Sequence, residues 1–444
     1  MKKNITSPVV GAGLLALFVT TVASANVCVF TPLDPVNGGV GTRVSSISDR
    51  GSAVAGTNLA SGLLPIPNGE PFYWKEHHGL SLLGLLPGAV SGTGDLVSGD
   101  GAVVVGRDYF PNGRAYTSRA FRWTKAEGLT AVPLLPGGNN NNVAGISYDG
   151  AVMVGSSEAS AGFQAFRWTA ATGPVGLGFL PGKTYSVGQG ISDDGTVLVG
   201  QSGLAGPGIE GFRWTEQGGM TGIGFLPGKT EDDDLSVSGD GNVIIGTTYG
   251  SDGLNGEAFR WTQATGIVGL GFLPGENHSQ ATLVSADGSV IAGNAQVTPV
   301  FPAGRQAFRW TQSGGMVGLG FLPGGGNYSI ALGMSADGKK IAGASDAPNT
   351  QLEAYLWTET EGMRSVRDIL VNDYDVDLTG WSLLTALISA DGKTLTGWGI
   401  NPAGQEEAWV ADLSHKPKHQ KNAKSTPVAP PKVVTTVKTK NATR

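Results

Sequence analysis

The chain has 444 residues, 71 of them glycine, one cysteine and a formal net charge of −6. A single cysteine excludes an internal disulfide framework, and an apolar share of 40% excludes a chain too polar to bury a core. Stability therefore rests on burial, and the glycine excess fits many tight turns.

Residues 1–25 read as a secretory signal peptide. Lys2 and Lys3 supply the positive start, residues 11–19 the apolar stretch, and Ala23-Ser24-Ala25 a small-residue cleavage site before Asn26. The apolar run is too short to span about 30 Å of hydrocarbon. Val27 stands before Cys28 where a lipoprotein signal has a small residue, so Cys28 is read as a buried strand residue. With no later transmembrane stretch, the expected location is secreted, extracellular or periplasmic.

From residue 26 to 413 the chain repeats itself. Trp74, Trp123, Trp168, Trp214, Trp261, Trp310, Trp357 and Trp409 recur 45 to 52 residues apart, the mark of one supersecondary unit copied many times. Three phrases make up each copy. The first is Ser-x-Asp-Gly leading into an apolar run that ends in glycine, as in residues 98–106, 147–155, 192–200, 238–246 and 285–293. Asp-Gly before a β-branched run signals a hairpin. The second is Ala-Phe-Arg-Trp-Thr, as at 120–124, 165–169, 258–262 and 307–311, whose alternation puts Phe and Trp on one strand face. The third, Val-Gly-Leu-Gly-Phe-Leu-Pro-Gly at 175–182 and 317–324, is a strand ended by Pro and Gly. A further short segment, such as 186–191, supplies a fourth strand.

Four short antiparallel strands per period, with no helical periodicity, predict an all-β fold, a β-propeller. Eight Ser-x-Asp-Gly sites are counted when Ser48-Asp49-Arg50-Gly51 is accepted as the first, so eight blades are predicted. Seven is the alternative if the unit around 368–380, where Leu-Pro-Gly is lost, is irregular. The last unit stops after Ala408-Trp409-Val410 without its third phrase. Residues 27–33 are therefore predicted to complete the last blade and close the ring by β-pairing.

With strands a to d running outward from the axis, the Asp-Gly turns (a to b) and the turns after Trp-Thr (c to d) share one uniform side. The opposite side carries segments that differ between copies: 107–119, 201–210, 247–257 and 294–306 between b and c, and 139–142, 231–234 and 276–278 between d and a. Variable loops on a rigid scaffold are where binding usually sits. Asn140, Asn141, Asp232, Asp233, Asp234 and His278 are accordingly the candidate binding residues. Asp232, Asp233 and Asp234 are also the calcium candidate, but their spacing matches no EF-hand-like loop, so a solvated acidic loop is preferred and no metal or cofactor is expected. His77-His78 and His278 lack the companions zinc needs.

The arginines of the second phrase, Arg122, Arg167, Arg213, Arg260 and Arg309, recur in equivalent places and read as packing. They are expected to pair with turn aspartates or with backbone carbonyls between blades. No His-Glu-x-x-His, Gly-x-Ser-x-Gly or Gly-Lys-Ser/Thr motif occurs, and no catalytic residue is assigned.

Residues 414–444 form a Lys/Pro/Thr-rich tail with eight basic and no acidic residues, the composition of a disordered segment. Setting aside these eight and the two signal lysines leaves 20 basic against 36 acidic residues, about −16 for the body. An acidic body argues against nucleic acid as partner. The basic tail can contact anionic surfaces such as lipid headgroups or acidic polysaccharide, a solvated tail being the plainer reading.

At the Ala-Phe-Arg-Trp-Thr and Leu-Pro-Gly phrases, over residues 38–410, the chain resembles the HAF family of bacterial extracellular repeats. The histidine that names the family is replaced here by Arg119, Gln164, Glu257 or Gln306. The resemblance implies secretion or surface exposure in bacteria and brings no catalytic residues. The expected function is a non-enzymatic binding scaffold for an unidentified protein or glycan, acting through the variable face. The alternative is a glycan-active hydrolase or lyase on a propeller, which needs two carboxylates in one pocket, or a carboxylate beside a His or Tyr base.

Overall fold

The computed structural model describes residues 29–61, 68–204, 208–251, 253–297, 304–348 and 350–415. The signal segment, Cys28 and the tail beyond 415 lie outside them. Seven consecutive four-stranded antiparallel sheets each run a-b-c-d in chain order, and an eighth closes the set. Blade 1 consists of Gly41–Ile47, Ala53–Leu59, Gly69–Lys75 and Gly79–Leu82. Blades 2 to 7 repeat this plan over 91–131, 141–176, 185–222, 231–269, 278–318 and 329–365. In blade 8 the inner strand is split into Ser382–Leu383 and Leu387–Ile388, and Thr394–Ile400 and Glu406–Asp412 follow. The fourth strand is Phe30–Leu33, paired antiparallel from Phe30 opposite Ala411 to Leu33 opposite Ala408. The protein is thus an eight-bladed β-propeller, with the first described strand in the last blade.

The Ser-x-Asp-Gly turn owes its repetition to local hydrogen bonds. In all eight blades the serine hydroxyl accepts the amide five residues on, at 2.9 to 3.1 Å. In seven it also donates to the turn aspartate at 2.5 to 2.8 Å; in blade 1 Arg50 replaces that aspartate. The turns are joined from blade to blade by backbone hydrogen bonds of 2.8 to 3.0 Å, starting with Asp49 N to Gly99 O and ending with Asp391 N to Asp49 O. Eight such bonds form a closed circle around the axis.

Between blades, the phenylalanines of the second phrase are fully buried. The glycine ending each apolar run makes room for them: a methyl on Gly200 would meet the Val187 carbonyl and the Phe212 ring. Burying one such ring contributes about 1.5–3 kcal/mol. The tryptophans are less uniform. Trp74 and Trp261 are buried, but Trp123, Trp168, Trp214, Trp310 and Trp357 keep part of their surface in solvent. Trp409 stands opposite Gly397, as Phe121 stands opposite Gly106, so it occupies the phenylalanine place.

Two of the second-phrase arginines, Arg122 and Arg309, reach the ring of the next blade, and Arg122 also pairs with Glu127 of its own c–d turn at 2.7 Å. Arg122 lies over the Trp168 ring at 5.5 Å and Arg309 over Trp357 at 5.9 Å. Arg309 Nε also donates to the Gly338 carbonyl at 3.2 Å. Tyr73, in the arginine place of blade 1, repeats both contacts, donating to Gly101 O at 2.7 Å and packing on Trp123 at 4.9 Å.

The irregular unit is a helix, Val366–Tyr374, replacing the Leu-Pro-Gly connection between blades 7 and 8. Ser365 caps it by accepting the Asp368 amide. Its Val366, Ile369 and Leu370 join Phe30, Leu383 and Trp409 in one core, so the change of element preserves the blade count.

Candidate functional site

Several segments read as loops from the sequence are strand. Arg107 pairs with Ala120 and the ladder continues to Asn112 opposite Ala115, a long b–c hairpin in blade 2. Glu231–Val237 is the inner strand of blade 5, and His278 opens the inner strand of blade 6. Alternation along these strands then decides where each candidate side chain goes.

Asn141 and Asp232 go into the blade interfaces. Each is 1% exposed, and each accepts a c-strand amide of the preceding blade: Ala120 N to Asn141 at 2.7 Å, Gly211 N to Asp232 at 3.0 Å. Thr42, Ser186, Ser279 and Ser329 make the same link elsewhere in the ring. The hydroxyls and the Asn141 amide also donate to nearby carbonyls. Asp232 has no proton to donate when ionised, and the Thr248 hydroxyl opposite it is placed too poorly to give its Oδ1 a full hydrogen bond. Burial accordingly pushes its carboxyl up to about 7. Asn140 is half-buried, accepting the Ser118 amide at 2.9 Å and lying beside Asn139 and Glu158, two blades away from the remaining candidates.

Asp233, Asp234 and His278 are brought together near the axis, at the junction of blades 4, 5 and 6. Inner strands of blades 1 to 7 all break register near their middle, a bulge that re-aims a side chain. In blade 4 the bulged residue is Gln189. Its Nε2 donates to Asp233 at 3.3 Å and its Oε1 accepts the Leu235 amide at 3.1 Å. From the other side Gln280 Nε2 donates to the Asp234 carboxylate. Asp234 sits at φ +54°, a left-handed conformation that aspartate tolerates and most residues avoid. Burial, then the charges of Asp234 and Asp233, push the Tyr249 hydroxyl up to about 12. The Tyr249 ring stands 5.9 Å from that of His278. His278 Nδ1 accepts the Gly256 amide at 3.0 Å. Burial, then Arg305 and Lys229, lower its basicity, which keeps the imidazole neutral near pH 7.

Two exposed carboxylates, two carboxamides and a tyrosine thus form an arc across three blades. The inner strands of blades 7 and 8 present Ile330, Leu332 and Leu384, a half-buried apolar arc. On blades 1 and 2 the charges are already paired: Arg107 with Asp95 at 2.8 Å, Arg43 with Glu406 at 2.8 Å. The three aspartates do not converge on one point, and among the described residues no group of three or more His, Cys, Asp or Glu side chains is placed to hold a metal. Such an arc accepts and donates hydrogen bonds to a polyhydroxylated or peptide ligand, with an apolar surface nearby for its less polar face.

The sequence did not single out Gln189, Gln280, Tyr249 or Arg305. Gln189 and Gln280 lie on inner strands, where the repeat phrases give no anchor. Aligning the copies on their serine would have found Gln189 beside Ala144 and Leu332, a position where the copies disagree.

No protein family and no curated protein matches the chain. Solved structures are similar to it at low identity. A prolyl endopeptidase structure aligns with a TM-score of 0.52 at 14% identity, over 82% of this chain and 55% of that one, so the chain spans about half of its length. An oligogalacturonate lyase solved with manganese gives 0.45 at 13%, over 72% and 88%. TolB from Acinetobacter baumannii gives 0.36 at 11%, over 70% and 80%. At these identities the likeness is one of fold.

Proposed function

We propose that the protein is a secreted or periplasmic binding scaffold that takes a glycan or protein segment on its loop-bearing face, at the arc of Gln189, Asp233, Asp234 and Gln280. The observation that carries this reading is the contrast between the faces. The turn-bearing face is built eight times from the same serine turn and closed by backbone hydrogen bonds. On the other face the copies part, and exposed carboxylates are held in place by glutamines from two neighbouring blades. Preorganised acceptors of this kind bind hydroxyls or amides at low entropic cost. The signal-like N-terminus and the resemblance to HAF repeats support an extracytoplasmic setting. Among the described residues no helix is long and apolar enough to cross a membrane.

The test is a glycan array and a peptide array probed with the full chain, followed by product analysis on each ligand retained. Retention without cleavage, lost in Asp233→Asn/Asp234→Asn, supports the scaffold. Release of shortened glycans would establish instead the alternative hydrolase or lyase.

A further inference from the structure

Behind the turn-bearing face an axial cavity of about 280 Å³ is lined by Asp49, Tyr148 and Asp193 at its rim, by Leu96, Ile146 and Ile191 among its walls, and also by Gln189 and Ser236. The rim residues all occupy the second position of the Ser-x-Asp-Gly turn. That position holds Gly99, Gly239, Ala286, Ala336 and Ala390 in the other five blades. On a scaffold that repeats, three functional side chains within four consecutive copies, on blades 1, 3 and 4, where every other copy is small, mark a site built once. The rim is continuous: a methyl on Gly99 would touch both the Tyr148 ring and the Asp49 carboxyl, and Tyr148 N donates to Asp193 O at 2.9 Å.

The carboxylates differ from their neighbours in what they bind. Asp149, Asp194 and Asp240, in the turns themselves, each accept a serine hydroxyl and a backbone amide. Neither the Asp49 nor the Asp193 carboxylate accepts a hydrogen bond or forms an ion pair among the described residues. Both are held above the ordinary carboxyl value: burial, then Asp193, Asp391 and Asp100, lift Asp49, and burial, then Asp194 and Asp240, lift Asp193. A cation entering the cavity relieves this repulsion. Its size, near the lower end of small-ligand pockets, and the three aliphatic side chains on part of an otherwise polar wall favour a small organic cation. A tyrosine ring beside an ammonium adds cation–π attraction.

We propose that this axial cavity binds an alkylammonium group, with Asp49 and Asp193 taking the charge, Tyr148 flanking it, and Leu96, Ile146 and Ile191 receiving the alkyl chain. Two sources share this chemistry. One is a free amine or a partner's lysine. The other is the chain itself, which has seven lysines after residue 415 and runs toward them from Asp412, at the turn-bearing end of the strand Glu406–Asp412.

The test is calorimetric titration of the full chain with 1,5-diaminopentane, with 1-pentanol as the uncharged control. It is repeated on a full-length variant carrying glutamine at all seven tail lysines. The expected result is 1:1 binding of the diamine and none of pentanol, weakened at least tenfold in Asp49→Asn and Asp193→Asn and unchanged in Glu359→Gln. Tighter binding by the glutamine-tail variant would assign the cavity to the chain's own lysines; equal binding would assign it to an external amine. Absence of saturable binding in both chains, or equal binding by the Asp49→Asn and Asp193→Asn variants with their melting temperatures unchanged, would overturn the proposal. The cavity shares Gln189 with the loop-face arc but none of its carboxylates, so the Asp49→Asn and Asp193→Asn variants test this cavity separately from the arc.

Discussion

At the residue scale, one inner-strand position shows how much a single atom matters. Ser186, Ser279 and Ser329 both accept and donate across the blade interface, whereas ionised Asp232 only accepts. Its folded value of about 7 lies well above the unfolded carboxyl range, so the folded state holds the proton more tightly. The stability this represents is full below about pH 4 and is lost as pH rises toward 7. Asp232→Ser is therefore expected to stabilise the protein by about 1–3 kcal/mol at pH 8 and by much less at pH 5, read from urea unfolding at both values. A loss of stability at pH 8 would mean that the Thr248 hydroxyl already satisfies the second carboxylate oxygen. Asn141→Ala, which strips a buried amide and carbonyl of their partner, should cost about 1–3 kcal/mol. The roles of Asn141 and Asp232 were hidden in the sequence because each sits in a run of like residues, Asn139 to Asn142 and Asp232 to Asp234. Only the alternation of a strand separates Asp232, turned into the interface, from Asp233, turned out of it.

At the scale of elements, the repeat phrases revealed the strands, the hairpin turns and the donation of the first strand to the last blade. Each rests on local chemistry: Asp-Gly for the turn, alternation for the strand, Pro-Gly for its end. Boundaries on the loop-bearing side were not legible. Nothing in residues 107–112 says that their ladder will continue, and the helix Val366–Tyr374 replaces a phrase whose loss gave no hint of its substitute. The aromatic phrase was read with its two rings alike, whereas the structure ranks them. Phe166 is fully buried and Trp168 is partly exposed beneath Arg122. Phe166→Ala should cost about 3–5 kcal/mol and Trp168→Ala clearly less, compared in one denaturation series. Ring closure has its own test. Thr31 and Val410 are direct partners across the closing strand pair. With Cys28→Ser as background, a Thr31→Cys/Val410→Cys crosslink should raise stability by about 2–4 kcal/mol in the oxidised over the reduced protein. No difference would indicate that the first strand does not hold the ring shut.

At the scale of the molecule, two sets of acids set the response to pH. Asp108, Asp232 and Glu407 are buried with values raised to about 6, 7 and 7, which makes the fold weaker as pH rises from about 4 to 7. Hydrogen bonds from Ala151 and Ser147 hold Asp149 low, and those from Ser289 and Ser285 hold Asp287 low. Their contribution is present above about pH 4 and disappears as pH falls further. Thermal midpoints should therefore peak in mildly acidic buffer, near pH 4–5, and decline on both sides. The larger pattern is a ring in which repetition builds the frame and departures from repetition build the sites. The measurement that tests this most directly compares two sets of variants for the ligand retained on the arrays. Asp233→Asn, Asp234→Asn and Gln280→Ala alter the loop-bearing arc, and Glu127→Gln, Glu216→Gln and Glu359→Gln alter the outer turns of the opposite face. Affinity reduced at least tenfold by the first set and unchanged by the second is the expected result. Equal affinity across both sets would contradict the placement of binding on the loop-bearing face.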